Sequence, residues 1–196
     1  MEYLAGRYGA AGQFDDVLTL RRGRFRAQRT LASYQALRHA ATASGTWPAE
    51  RGQALDLLRE DARAARAQAG SNLAHRASWA WGGPVLIDAL LDDGDLDAAW
   101  AEAQDGVPEV QLLRLADASV TARPADALAA YRRAIGPLKR LTGDNVYRRI
   151  ATLLLSARAC HEALGTTDEF RRYVALLRMD QKRKRNLMRI LDENGL

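Results

Sequence analysis

The sequence predicts an all-α fold made of helical hairpins. Hydrophobic residues recur at helical spacing along most of the chain, and turn-forming residues interrupt them at short intervals. Arg and Ala, which both favour helices, are the dominant residue types, and the five prolines and few β-branched runs leave little room for a sheet. We therefore expect a single α-helical repeat domain over residues 1–196, with a candidate junction near residues 69–83.

Composition places the chain among globular proteins, since 47% of its residues are hydrophobic and 27% are charged. Cys160 is the single cysteine, which excludes an internal disulfide and fits a reducing compartment. No basic and then apolar leader begins the chain, and its longest apolar runs are far shorter than a membrane span. These features predict a soluble, cytoplasmic protein with no membrane partner.

The clearest structural unit is PVLIDALLDDGDLDAAWAEAQDG, residues 84–106. Two apolar stripes at helical spacing flank an acidic turn; they consist of Leu86, Ile87, Leu90 and Leu91, and then of Leu96, Ala99, Trp100 and Ala103. Gly94 suits the left-handed end of the first helix, and Asp95 is placed to cap the second. This stretch therefore predicts a helix, a tight turn and a second helix.

Before this unit, the pattern predicts a short helix in residues 2–9 and another after Gly12, whose apolar stripe is Phe14, Val17, Leu18 and Phe25. Its other faces carry Arg21, Arg22, Arg24, Arg26 and Arg29, either as a solvated face or as an anion-binding patch. Thr30 caps a helix that stops at Gly45, and Trp47-Pro48 begins a helix to about Gln68. Residues 69–83 fit the pattern least; Trp79 and Trp81 there either pack at a junction between two layers, or one of them lies in a groove.

After this unit, prolines at 108 and 124 each open a helix, and Gly143 precedes a long helix that ends near Leu164-Gly165. Thr166 or Thr167 caps the following helix. The last predicted helix carries Leu187, Ile190 and Leu191 and stops at Asn194-Gly195. The chain is therefore expected to form about ten to eleven helices, as antiparallel hairpins with one closing helix.

A repeat supports this organisation, because GQFDDV, GDLDAA and GTTDEF each follow one predicted helix and open another. Their glycines, Gly12, Gly94 and Gly165, are 82 and 71 residues apart. Half of each distance lies in the range of about 34 to 47 residues that is typical of helical repeats. The segments resemble the turn and second helix of tetratricopeptide units, although most of that consensus is missing. The resemblance implies a tetratricopeptide-like helical-hairpin solenoid with a concave groove.

Residue patterns typical of catalysis or metal binding are not found. None of His39, His75 and His161 pairs with another ligand at zinc spacing; Cys160 is expected in the core and His161 at the surface. The acidic residues around Gly94 fail the calcium-loop pattern, because position 6 is Ala98 and position 12 is Gln104, and helix capping explains them. We therefore predict no catalytic residues, no cofactor and no metal.

The strongest charge feature is RMDQKRKRNLMR, residues 178–189. Its six basic residues face one acid, Asp180; they are Arg178, Lys182, Arg183, Lys184, Arg185 and Arg189. Such a run either contacts phosphates of a nucleic acid or forms a basic outer face near the acidic turns. No aromatic residues are interleaved with it, so base stacking is not indicated.

Three sequence pieces occur in order along the chain: LASYQALR followed by WP, then GDLDAAW, and then KRKRNLMRILDE. Together they resemble the all-helical C-terminal region of bacterial SWIM-type zinc-finger proteins, and the similarity covers most of residues 14–196. In that family a CxCx(n)CxH zinc module precedes the helices and is thought to bind nucleic acid or protein. That motif is missing from this chain, so zinc binding is not implied; an excised helical part or a stand-alone relative both fit.

Two functions follow as hypotheses. The first is a non-enzymatic scaffold that binds a protein or peptide in a groove, with Arg38, Arg114, Arg148 and Arg149 as candidate groove residues. The second is a nucleic-acid-binding accessory module that uses the basic run 178–189, with Arg21 to Arg29 as a further candidate patch. An enzyme ranks third, since no acid–base pair or nucleophile constellation is evident.

Overall fold

The structure is a computed structural model that describes residues 14–69 and 85–196. These residues form ten α-helices and no β-strand, so the predicted all-α fold is confirmed. The helices are α1 (Phe14–Ala27), α2 (Leu31–Ala43), α3 (Trp47–Ala69), α4 (Leu86–Asp92), α5 (Leu96–Gln104), α6 (Glu109–Ser119), α7 (Pro124–Leu138), α8 (Asp144–Ala163), α9 (Thr167–Asp180) and α10 (Arg185–Glu193).

The helices group into two compact units, Met1–Pro108 and Glu109–Leu196. In the first unit α1 packs on α2, α2 packs on α3, and α4 contacts α2, α3 and α5. Their apolar faces form a core that includes Phe25, Tyr34, Leu37, Leu58 and Leu90, each at most 2% exposed. The predicted single repeat domain over residues 1–196 stays a prediction.

In the second unit the long helix α8 packs on α7, α9 and α10, and α7 also packs on α6. Ile135, Ile150, Leu154, Leu187 and Leu191 are fully buried in this core. The closing helix α10 therefore buries the apolar residues that its periodicity predicts.

The turn between α4 and α5 has the predicted geometry. Gly94 has a φ of +73°, in the left-handed region that side chains with a Cβ adopt only with strain. The backbone N–H of Asp95 donates to the Leu90 carbonyl at 2.9 Å, and the Gly94 N–H donates to the Leu91 carbonyl at 3.0 Å. The same two hydrogen bonds recur at Gly45, Gly165 and Gly195, so four helix ends share one backbone arrangement.

The starts of two helices also agree with the sequence. Thr30 caps α2 by accepting a hydrogen bond from the Ser33 N–H, and the Ser33 hydroxyl accepts one from the Thr30 N–H. Asp95 caps α5 by accepting a hydrogen bond from the Ala98 N–H at 3.1 Å. Short polar side chains therefore set where these helices begin, as their order in the sequence indicates.

Several sequence-based expectations concern residues outside the described ranges. They are the short helix in residues 2–9, the turn at Gly12, His75, Trp79 and Trp81, and most of the candidate junction near residues 69–83. Within the described ranges, no helix is both long and apolar enough to cross a lipid bilayer.

Candidate functional site

Alternate helices lie side by side within each unit, and their solvent-exposed faces form a candidate binding surface. In the first unit the Tyr34 hydroxyl on α2 donates to Asp93, at the end of α4, at 2.7 Å. In the second unit Arg149 on α8 pairs with Glu109 on α6, and Asn186 on α10 donates to Asp144 on α8. The latter contacts place α8 between α6 and α10.

Arg148 is the predicted groove residue that is most accessible to a partner. It is exposed on α8, on a face bounded by the contact to α6 through Arg149 and the contact to α10 through Asp144. Its guanidinium forms no ion pair with another described residue. Arg114, on α6, is also exposed and makes a contact within the protein. The structure therefore places Arg114, Arg148 and Arg149 on neighbouring helices.

Arg38, the fourth groove candidate, belongs instead to an ion-pair cluster of the first unit centred on Asp93. Arg51 Nε donates to Asp93 Oδ2 at 2.6 Å, and Arg38 donates to Asp93 Oδ1 at 3.2 Å and contacts Asp92 Oδ2 at 2.8 Å. The Asp93 side chain is only 7% exposed. Arg38 is therefore engaged by acids of its own unit, and helix capping explains Asp95 but not Asp92 or Asp93.

The electrostatics of this cluster follow from burial and pairing. Burial and then the hydrogen bond to Asp93 raise the pKa of the Tyr34 hydroxyl, so the tyrosine stays a neutral donor. The hydrogen bond to Asp93 also raises the pKa of Arg51. Trp47 stacks edge-on against Tyr34, with ring centroids 5.5 Å apart, beside a cavity of about 510 Å³. The cluster links α2, α3 and α4, which indicates a structural role.

Three members of the basic run 178–189 are engaged within the second unit. Arg178 donates to the Leu196 carbonyl at 2.6 Å and pairs with Asp192, and Arg189 pairs with Glu193 on its own helix. Lys184 Nζ donates to the carbonyls of Lys139 at 2.5 Å and Leu141 at 2.9 Å, and lies 5.9 Å from the Tyr147 ring centroid. Arg178 thereby links α9 to α10 and the chain end, Lys184 links the last turn to the turn after α7, and Arg189 is paired within α10. All three side chains are less free for an external anion.

The other three members, Lys182, Arg183 and Arg185, are exposed and form no ion pair with another described residue. Lys184 also holds a second turn close to them, through its hydrogen bonds to the carbonyls of Lys139 and Leu141. Arg140 lies between these two residues and is also exposed. We call Arg140, Lys182, Arg183 and Arg185 the two-turn basic surface. Local sequence could not reveal this surface, since Arg140 is 38 positions before the start of the basic run.

His161 is not at the surface, contrary to the expectation from sequence; it is 1% exposed. Its Nε2 lies 3.2 Å from a guanidinium nitrogen of Arg132, which can only donate, so Nε2 must accept and the proton is on Nδ1. Nδ1 lies 2.7 Å from the Thr166 hydroxyl, and the ring packs against Phe170. Burial and then Arg132 lower the pKa of His161. Its neighbour Cys160 is in the core, as expected.

Two local features of the described residues bear on metal binding and on the start of α9. Within residues 14–69 and 85–196, no three His, Cys, Asp or Glu side chains come together as a group that could hold a metal ion. The Thr166 residue does precede α9, but its hydroxyl contacts His161 instead of capping the helix.

No family model, no curated protein and no solved structure matches the chain. The resemblances to SWIM-type proteins and to tetratricopeptide units therefore stay predictions.

Proposed function

We propose that the chain is a non-enzymatic scaffold that binds another protein or peptide, as a tetratricopeptide-like accessory region of a SWIM-type zinc-finger protein. The observation that carries the proposal is the side-by-side placement of alternate helices, α2 with α4 and α8 with α6 and α10. Adjacent helices of this kind present a continuous surface on which a peptide or helix can lie.

Charge indicates what kind of peptide this surface would bind. The exposed residues on α6, α8 and α10 include Arg114, Arg148 and Arg185. Guanidinium groups bind carboxylates through paired hydrogen bonds. The same helices also expose acids, but Glu109 and Asp144 are engaged by Arg149 and Asn186. The expected partner is therefore an acidic protein or peptide.

Charge reversal at Arg148 tests this proposal. We expect Arg148→Glu to reduce binding of a natural partner at least about tenfold, since it removes a cation and adds a repulsive anion at the centre of the surface. The measurement is affinity capture from nuclease-treated extract, followed by titration of the recovered protein. The matched control is Arg133→Glu on α7, which reverses an exposed arginine off the alternate-helix surface. Equal loss in both variants, or no loss in either, would contradict the proposal.

A second candidate function is nucleic-acid binding, and the two-turn basic surface specifically favours it. Four exposed cations from two turns offer point charges to phosphates without any base contact. Binding of this type depends on the release of counterions and weakens steeply with salt.

We expect a labelled random-sequence DNA duplex to bind with a log–log salt slope of up to about −3.6, which four phosphate contacts would give. Lys182→Glu with Arg183→Glu should lower both the affinity and the slope in fluorescence anisotropy. Lys184 is avoided because its ammonium group joins the two turns. Arg63→Glu on α3, an exposed arginine of the other unit, serves as the control. An unchanged slope in the double variant would exclude this surface as the site.

A further inference from the structure

The outer face of α9 carries the two most exposed large apolar side chains among the described residues. Leu176 is 64% exposed and Met179 is 69% exposed. They lie three positions apart and therefore share one side of the helix, together with the exposed Arg172. The buried side of α9 is separate and consists of Phe170, Val174 and Leu177. An apolar pair of this kind is typical of an interaction surface.

Charge is also ordered along α9 and the turn that follows it. Asp168 and Glu169 lie in the first turn of α9, and Lys182 and Arg183 follow its last turn. All four side chains are exposed. Arg172 and then the apolar pair lie between these charges, so the order is acidic, then basic and apolar, and then basic in the turn that follows α9.

This order is complementary to itself when the helix is reversed. We propose that the outer face of α9 binds the same face of a second copy of this chain in antiparallel orientation, forming a two-fold symmetric dimer. A two-fold axis near residues 175 and 176 pairs Asp168 with Arg183 of the other copy and Glu169 with Lys182. It also places Leu176 of both copies at the centre. No parallel arrangement gives this match, because it would bring like charges together.

The ion pair between Asp168 and Arg171 does not prevent Asp168 from pairing with a second copy of the chain. Asp168 pairs with Arg171 on the same helix, but their side chains are 83% and 74% exposed. Exposed pairs of this kind contribute little to stability, so Asp168 can turn to a partner at small cost. The central contact between leucines supplies the apolar burial that exposed charges lack.

The size of the face sets the expected strength. A helix of 14 residues is about 21 Å long, so two such faces bury well under about 1,200 Å², the range of weak and transient complexes. We therefore expect a dimer with a dissociation constant of roughly 10 µM to 1 mM that is weakened by salt. The dimer does not depend on the proposed scaffold or nucleic-acid function.

Complementary charge reversal tests the dimer on the full chain after nuclease treatment. The all-basic variant is Asp168→Lys with Glu169→Lys, and the all-acidic variant is Lys182→Glu with Arg183→Glu. We expect sedimentation equilibrium to show that each variant alone associates at least about tenfold more weakly than the wild type, and that an equimolar mixture regains heterodimer. A monomeric wild type at millimolar concentration, or a mixture that stays monomeric, would overturn the proposal.

Two further variants separate this face from any other contact. Leu176→Ser should abolish association, whereas Val110→Ser, at an exposed apolar site on α6, should leave it unchanged. Equal behaviour of the two variants would overturn the proposal, and so would loss of wild-type association on nuclease treatment. Lysines in the first turn of a helix oppose its dipole, so circular dichroism must show an unchanged fold. If it does not, Asp168→Asn with Glu169→Gln replaces the all-basic variant and should still weaken self-association.

Discussion

Asp93→Ala is expected to lower the free energy of unfolding by about 2–4 kcal/mol, because one nearly buried carboxylate accepts hydrogen bonds from Tyr34, Arg38 and Arg51. Its removal leaves the hydroxyl of the fully buried Tyr34 without an acceptor. Arg38 keeps Asp92 and Arg51 keeps Asp95, which is why the expected loss lies below that of a fully isolated buried charge. The measurement is urea denaturation followed by circular dichroism.

Asp56→Asn is the matched control, since Asp56 belongs to the same unit and also pairs with an arginine, but its side chain is 71% exposed. We expect this variant to change the free energy of unfolding by less than about 0.5 kcal/mol. A loss below about 1 kcal/mol for Asp93→Ala would show that the cluster does not stabilise the first unit in the way proposed.

The second large effect is expected from pH, through His161. The folded protein holds the pKa of His161 below the ordinary value of about 6.5, because the ring is buried and faces Arg132. Protonation would place a hydrogen on Nε2 against the guanidinium, which disfavours the charged ring. Glu169 acts in the opposite direction and raises the pKa of His161, but it offsets the effect of burial and Arg132 only in part. The unfolded chain therefore binds a proton that the folded chain does not bind.

The sign of the effect follows from this difference. Stability is fully present above a pH of about 6.5 and falls as the pH drops from there toward the folded pKa, by up to about 1.4 kcal/mol per pH unit from this group. Denaturant titrations between about pH 7.5 and pH 5 would measure the slope. His161→Gln should flatten it, while His39→Gln, at an exposed histidine on α2, should leave it as in the wild type. A slope that survives in His161→Gln would assign it to another group.

The fold was predictable because its signals are local. Helical spacing of apolar residues is complete within one helix, as for Leu187, Ile190 and Leu191 of α10. The cap at Thr30 and the turn at Gly94 likewise need only a few neighbouring residues. A short segment therefore contains all the information that sets these features.

The candidate site was less predictable because its contacts are distant in sequence. Tyr34 and Asp93 are 59 positions apart, and Lys184 reaches carbonyls at least 43 positions away. For the same reason His161 was misplaced, since a single polar residue on a helix gives no sign that Arg132 and Thr166 will enclose it. Which cations of residues 178–189 are engaged could not be read from their order in the chain.

The shared hydrogen bonds at Gly45, Gly94 and Gly165 have a consequence for how such chains lengthen or shorten. Because each of these connections leaves the preceding helix in the same way, the segment between any two of them could be duplicated or deleted as a module, and the backbone at the splice points would keep its conformation. Gene rearrangement could then change the number of modules in related chains, while side chains such as Asp93 and His161 would decide which neighbours a transplanted module tolerates.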